Sequence, residues 1–299
     1  TGLNTYSLNW YMIKLLLTLL ILLWPLTFMA ATDRIYMSAM DESSWNLISS
    51  SRLRCEMEHP IAGFGRAVFY QESGRALGLK FISDFRYKKD LEVAFRSISA
   101  SWKGVQTVAD LAKLKSTGSN SMVSISSNAA SFAYFELRQG YQPSLFFVND
   151  QLGEQTVSVV LSTVNFSAVD APFSECVASL YPDHFDDVKL ARVQFDFDDE
   201  FPLPAEEERA LGRLLEYIKI DPEFSSILVS GHTDYKGSVC YNDTLSARRA
   251  WYVYDYLMQS GVNPAKLRIE FKGESTPLVK GKDEHSRARN RRVEVRLQK

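Results

Sequence analysis

The chain has 299 residues, enough for one or two domains with sizeable cores. Its net charge of −2 excludes nucleic acid as the main partner, because phosphate binding needs a strong basic excess. Tyrosine and phenylalanine are frequent, with 14 and 18 copies, which favours β-rich structure.

Residues 12–31 come first. Met12 and Lys14 precede an apolar run from Leu15, and Ala30 and Ala31 follow it, the layout of a secretory signal peptide. The run is short for a membrane span and is interrupted by Pro25, so cleavage is expected rather than anchoring. No Cys follows closely, which speaks against a lipoprotein. The three cysteines, Cys55, Cys176 and Cys240, allow three single pairings. A secreted chain is expected to use one of them. Cys55 and Cys176 flank the N-terminal half, and theirs is the bridge expected. Cys240 is then a small, partly buried side chain without a catalytic part.

Residues 32–182 read as a mostly antiparallel β domain. Short apolar or β-branched runs at 66–72, 76–83, 121–125, 145–149 and 156–162 are separated by Gly, Ser, Asn or Pro clusters, and 71–75 has the make-up of a hairpin turn. One helix closes the segment. Val169, Phe173, Cys176, Val177 and Leu180 recur at helical spacing, which places Cys176 on its buried face. Chemistry is scarce here. His59, beside Pro60 and between two acids and a run of apolar residues, has no metal-ligand spacing and reads as a turn or packing residue. Trp102-Lys103-Gly104 reads as a loop.

Residues 183–299 change rhythm. The order expected is a strand at 188–195, a helix over Ala205–Ile220 with Glu206, Glu207 and Glu208 in its first turn, and a strand ending at Gly231. A helix from about Asn242 to Ser260 and strands at 267–271 and 292–297 complete it. This βαβαββ order is a mixed α/β sandwich, and the whole chain is α+β. On the long helix Asn242, Ser246 and Arg249 share a face with Ala250, Val253 and Leu257. An Arg entering a packed face needs a carboxylate or a ligand. Asp234, at the preceding strand's end, is the nearest acid in sequence. Two readings stay open on spacing alone: Asp234 and Arg249 pair with each other, or they form two poles of a ligand site. In the last strand Val293, Val295 and Leu297 face the core and Arg292, Glu294 and Arg296 face away, while Arg291 shares the side of Val293.

Two resemblances bear on these residues. Thr233-Asp234, ten residues, Leu245-Ser246, two residues and Arg249, followed by Gly273-Glu274, Pro277 and Asn290-Arg291-Arg292-Val293-Glu294-Val295, resemble the signature of OmpA-like peptidoglycan-binding domains. That resemblance implies that Asp234 takes the ammonium and Arg249 the carboxylate of the diaminopimelate in peptidoglycan stem peptides, with Asn242 and Arg291 as further contacts. The stretch from Cys55 through His59-Pro60-Ile61 to Ala67-Val68-Phe69, with Phe173-Ser174-Glu175-Cys176, resembles the N-terminal domain of the MotY family of sodium-driven flagellar motor proteins. That family joins such a domain to an OmpA-like one behind a signal peptide. It implies a periplasmic protein that docks on the flagellar basal body, forms a ring with MotX, and helps recruit stator units.

The expectation is therefore a non-enzymatic anchor without cofactor or metal. Residues 32–182 contact the motor and 183–299 hold the cell wall. A general envelope anchor without a flagellar role is the alternative. A Ser-His-Asp hydrolase built on Ser246, His232 and Asp234 is disfavoured, because no oxyanion-hole sequence follows His232. A glycan hydrolase is disfavoured too, because Asp234 faces an Arg rather than a second carboxylate.

Overall fold

Strands dominate the first part of the chain. The computed structural model describes residues 33–126, 128–149, 155–201, 205–221 and 223–299. The signal-peptide segment at 12–31 lies outside these residues, as do the side chains of Glu206 and Glu207. One five-stranded sheet has the order β1 (Arg34–Tyr36), β10 (Gln155–Val160), β9 (Tyr141–Asn149), β6 (Glu92–Ser99), β7 (Val108–Lys115). The other runs β2 (Asn46–Ser50), β3 (Arg54–Ile61), β4 (Gly65–Glu72), β5 (Gly78–Ser83), β8 (Ser121–Ser126). Alternation puts Val93 and Phe95 of β6 and Leu79 and Phe81 of β5 into one core. There Phe81 meets Phe95 edge-on, with ring centroids 6.2 Å apart.

The number of helices departs from the sequence reading of this region. Two helices pack here instead of one: α1 (Asn128–Arg138) buries Ala130, Ala133 and Leu137, and α2 (Phe166–Ala178) buries Phe166, Val169, Phe173 and Cys176. The apolar stripe of α1 is built largely from alanine, so its period is faint in the sequence. β1 runs parallel to β10 in a sheet whose other pairs are antiparallel, which fits a mostly antiparallel domain. Strands β3 and β6 carry charges on alternate positions that weaken an apolar-run signal, although their inner faces are buried.

Cys55 on β3 and Cys176 on α2 form a disulfide with Cα atoms 6.0 Å apart. Cys240 is exposed rather than partly buried, because it lies on the outer side of a helix's first turn. His59 is fully buried and stacks on Trp45, with ring centroids 4.7 Å apart. Its Nδ1 lies 2.7 Å from the Ser44 carbonyl and its Nε2 accepts from the Ser162 amide at 3.3 Å. One nitrogen must donate and the other accept, so the ring is neutral and serves packing.

The second core lies on a four-stranded sheet of order β11 (Leu190–Gln194), β14 (Arg292–Gln298), β12 (Ser226–Gly231), β13 (Leu267–Phe271). A single-turn helix, α3 (Phe185–Val188), precedes β11, where the sequence reading began a strand at 188. Helix α4 (Ala205–Ile220) links β11 to β12, and α5 (Val239–Gln259) links β12 to the parallel β13. The short α6 (Glu284–Asn290) leads into β14, which is antiparallel to both β11 and β12. This is the βαβαββ sandwich expected with the short α6 added between its last two strands, and the chain is α+β. Helix α5 starts earlier than the sequence indicated: Ser238 is its N-cap and accepts from the Tyr241 amide at 3.2 Å. The face carrying Asn242, Leu245, Ser246, Arg249, Ala250, Val253 and Leu257 is buried throughout. Gly231 permits this approach, since a Cβ there would lie 2.1 Å from the Ser246 carbonyl oxygen.

Candidate functional site

The sheet order brings together chain segments far apart in sequence. β14 lies between β11 and β12, so the ends of β11 and β12 and the start of β14 share one edge. The N-terminal half of α5 packs above that edge. A cleft of about 180 Å³ opens there, lined by Thr233, Asp234, Asn242, Arg249 and Arg291 and walled by Phe197, Asp198, Lys236 and Tyr241. All four residues singled out for ligand contact, Asp234, Asn242, Arg249 and Arg291, therefore face one cavity.

Their internal pairing differs from the sequence reading. Asp234 is paired with Arg291 at 2.9 Å, not with Arg249. Both side chains are buried. The other carboxylate oxygen of Asp234 accepts from the Lys236 amide at 2.9 Å. Arg291 also donates to Glu284 at 2.9 Å and to the Phe195 carbonyl at 3.2 Å. Its place at the start of β14, hydrogen-bonded through its carbonyl to the Phe195 amide, aims it inward.

Arg249 is fully buried and donates only to backbone carbonyls: Asp199 at 2.8 Å, Asp196 at 3.0 Å and His232 at 3.4 Å. Its guanidinium also lies over the Phe195 ring, 5.1 Å from the centroid. Burial, with the neighbouring Arg291 charge, pulls it from 12.5 down to about 10. It remains protonated at neutral pH. Among the described residues no carboxylate lies within ion-pair distance of it. The cleft thus holds two buried guanidinium groups and one buried carboxylate, an arrangement that favours an added anion.

Thr233 adds a second signal. Its hydroxyl is buried, lines the cleft and has no hydrogen-bond partner. A buried polar atom without a partner is costly unless a ligand or water completes it. Asn242 donates through its side-chain amide to Glu274, which fixes it against the turn after β13. Sequence reasoning missed Thr233, Phe197, Asp198, Lys236 and Tyr241 as cleft residues. The run Asp196-Phe197-Asp198-Asp199 was visible after a strand, but only the β11–β14 pairing sets it beside Arg291.

The rest of the neighbourhood does not assemble a catalytic triad. Ser246 donates to the Asp243 carbonyl at 2.8 Å and accepts from the Gly273 amide at 3.1 Å. His232 contacts the Thr276 hydroxyl at 3.0 Å through Nδ1 and is pushed from 6.5 down to about 4, by burial first and by Arg292 second. Arg292 points to the face away from the core, as expected, yet is buried, because Glu294 at 3.0 Å and the Asn290 and Thr276 carbonyls cover it. Arg289 is exposed, while Arg287 is half-buried against Glu284.

Comparison with known proteins gives the family. The model described as MotY N-terminal domain matches residues 36–182, and that of the OmpA family matches 194–291. The chain joins a MotY N-terminal domain to an OmpA-family domain. It is similar along most of its length to the sodium-type flagellar protein MotY of Vibrio parahaemolyticus, with 23% identity over 90% of this chain and 92% of that protein. The OmpA-type part is similar to the peptidoglycan-associated lipoprotein of Pseudomonas putida, with 46% identity over 23% of this chain and 42% of the relative. Among solved structures, the peptidoglycan-associated lipoprotein of Burkholderia pseudomallei aligns with 33% identity over 36% of this chain and 90% of that chain, at a TM-score of 0.34. The C-terminal domain of Helicobacter pylori MotB aligns with 26% identity over 36% of this chain and 84% of that chain, at a TM-score of 0.33. The OmpA-type domain carries the whole cleft.

Proposed function

We propose that this protein is a periplasmic component of the flagellar motor that grips peptidoglycan non-covalently through the cleft of its OmpA-type domain. The MotY-type domain docks on the basal body in a ring with MotX and supports stator assembly. The observation that carries the cell-wall reading is Arg249: a buried cation with carbonyl partners only, beside the Asp234–Arg291 pair and the unpartnered Thr233 hydroxyl. A diaminopimelate end group presents one carboxylate and one ammonium. Arg249 and Thr233 take the carboxylate. Asp234, whose oxygens each keep an acceptor site beyond their present bonds, takes the ammonium. The role is binding rather than turnover, since the one buried carboxylate of the cleft is neutralised and no general base stands beside a nucleophile.

The similarity to a flagellar MotY protein over 90% of the chain supports the motor half of this reading. Sedimentation of the purified chain with isolated sacculi tests the cell-wall half, with Thr233→Val as the informative variant. Wild-type sedimentation that Thr233→Val and Arg249→Ala both retain in full would overturn the site. Release of soluble muropeptides from the sacculi would overturn the non-enzymatic reading. Co-purification with basal bodies tests the motor half, and its failure alongside intact sacculus binding would leave a general envelope anchor.

A further inference from the structure

The outer face of the β1–β10–β9–β6–β7 sheet carries a second concavity, far larger than the cleft, of about 1000 Å³. Its floor is Phe146 and Val148 of β9 with Ala94 of β6, and Val148 is 49% exposed. The cross-strand register sets Lys113 opposite Ala94 and Lys115 opposite Glu92, so both lysines rise from β7 on this same outer face. Lys89, in the turn before β6, stands at the same concavity. The concavity is lined by five cationic side chains and two acidic ones in a chain whose net charge is −2. Of these cations Arg96 is engaged by Asp110 at 2.7 Å. Lys89, Lys113 and Lys115 have no ion-pair partner among the described residues, and all three are exposed.

We propose that this groove docks an acidic, extended segment of a partner protein. Charge complementarity names the sign of the partner: unneutralised lysines beside an apolar floor fit carboxylates flanking apolar side chains. Spacing argues for an extended chain. Phe146 and Val148 on β9, and Lys113 and Lys115 on β7, each recur every second residue on the two strands that flank β6, which is the repeat of a strand laid along the sheet. Ala94 between the two rows keeps the floor low enough to receive side chains. Among the described residues β7 pairs with β6 alone and ends the sheet, so its outer edge lies beside the docked segment. This deepens the reading that the MotY-type domain docks on the motor, and rests on it only for where the partner resides.

The test uses the full chain and a short fluorescein-labelled peptide alternating glutamate and valine, with the lysine–valine peptide as control, read by fluorescence anisotropy. The glutamate peptide is expected to bind, with affinity falling as salt rises, and the lysine peptide is not. Exchanging both exposed lysines, as Lys113→Glu with Lys115→Glu, should weaken binding by at least about tenfold while leaving the thermal unfolding curve unchanged. Val148→Lys, which spoils the floor, should weaken it too. Unchanged affinity in the lysine variant overturns the proposal. So does lysine-dependent capture of the chain by phosphatidylglycerol vesicles without peptide binding, which would mark a lipid surface instead. Sacculus sedimentation and basal-body co-purification of the wild type are separate readouts, so failure here is distinguishable from failure of the function proposed above.

Discussion

Arg291 and Asp234 form a buried ion pair at 2.9 Å, although 57 residues separate them. The pair leaves Arg249 as a buried cation of the cleft with no carboxylate bonded to it among the described residues. It also makes Asp234 structural and cleft-facing at once. Replacing Asp234 by Ala strands Arg291 with Glu284 as its remaining carboxylate, and a broken buried pair costs about 3 kcal/mol. The expected outcome is a lower denaturant midpoint for the OmpA-type core together with loss of sacculus binding.

Thr233→Val separates binding from folding. The hydroxyl has no partner among the described residues, so its removal should leave the unfolding midpoint unchanged or slightly raised. Sacculus binding should weaken by roughly tenfold, the value of one buried hydrogen bond to a charged ligand group. Arg249→Ala is the blunter variant. It orphans three carbonyls and opens a cavity, so it should cost roughly 2–4 kcal/mol in stability as well as abolish binding. Chemical denaturation run beside the sedimentation assay checks both.

Acid should weaken the fold through its buried histidines. His232 is held at about 4 when folded, against 6.5 unfolded, and burial also lowers His59. Below pH 6.5 the unfolded chain takes up protons that the folded chain refuses. Stability is therefore full above pH 6.5 and falls as the pH drops toward about 4, by up to about 1.4 kcal/mol per pH unit for each histidine. For His232 the loss levels off below about pH 4. Unfolding midpoints measured from pH 7 to pH 4 test this, and a flat profile would contradict it.

The disulfide closes a loop with a sequence separation of 121 residues, which the chain-entropy model values at about 4–5 kcal/mol, often less in practice. Exchanging both Cys55 and Cys176 for Ser should lower the unfolding temperature of the MotY-type core, with a smaller effect on the OmpA-type core. The untreated native chain should present one reactive thiol to a thiol reagent, at Cys240.

Gly231→Ala tests how closely α5 sits on β12. The added methyl meets the Ser246 carbonyl at 2.1 Å and the Ala250 Cβ at 3.0 Å, so helix or strand must shift. Overpacking of this kind costs about 1–3 kcal/mol and would displace Asn242 and Arg249 together. Reduced stability and reduced sacculus binding are both expected, and a crystal structure of the variant would locate the shift.

The apolar runs of β4 and β5, the stripe of α2 and the long stripe of α5 could be read directly, because apolar runs and the 3.6 period are local properties of a chain. The membership of Asp234, Asn242, Arg249 and Arg291 in one set came from the resemblance to OmpA-like peptidoglycan-binding domains, and helical spacing added only that Asn242 and Arg249 share a face of α5. Helix α1 and strands β3 and β6 escaped notice because alanine and alternating charge carry little apolar signal. What the sequence by itself determined was much of the series of elements and the residue types, one buried carboxylate and two buried guanidinium groups, that the cleft holds. The tertiary structure alone decided who pairs with whom. Inserting β14 between β11 and β12 puts Arg291 against Asp234, turns Arg249 onto the carbonyls of the Asp196–Asp199 turn, and leaves Thr233 without a partner. Strand order is set by which apolar faces bury together across long sequence separations, and spacing within one segment does not encode it.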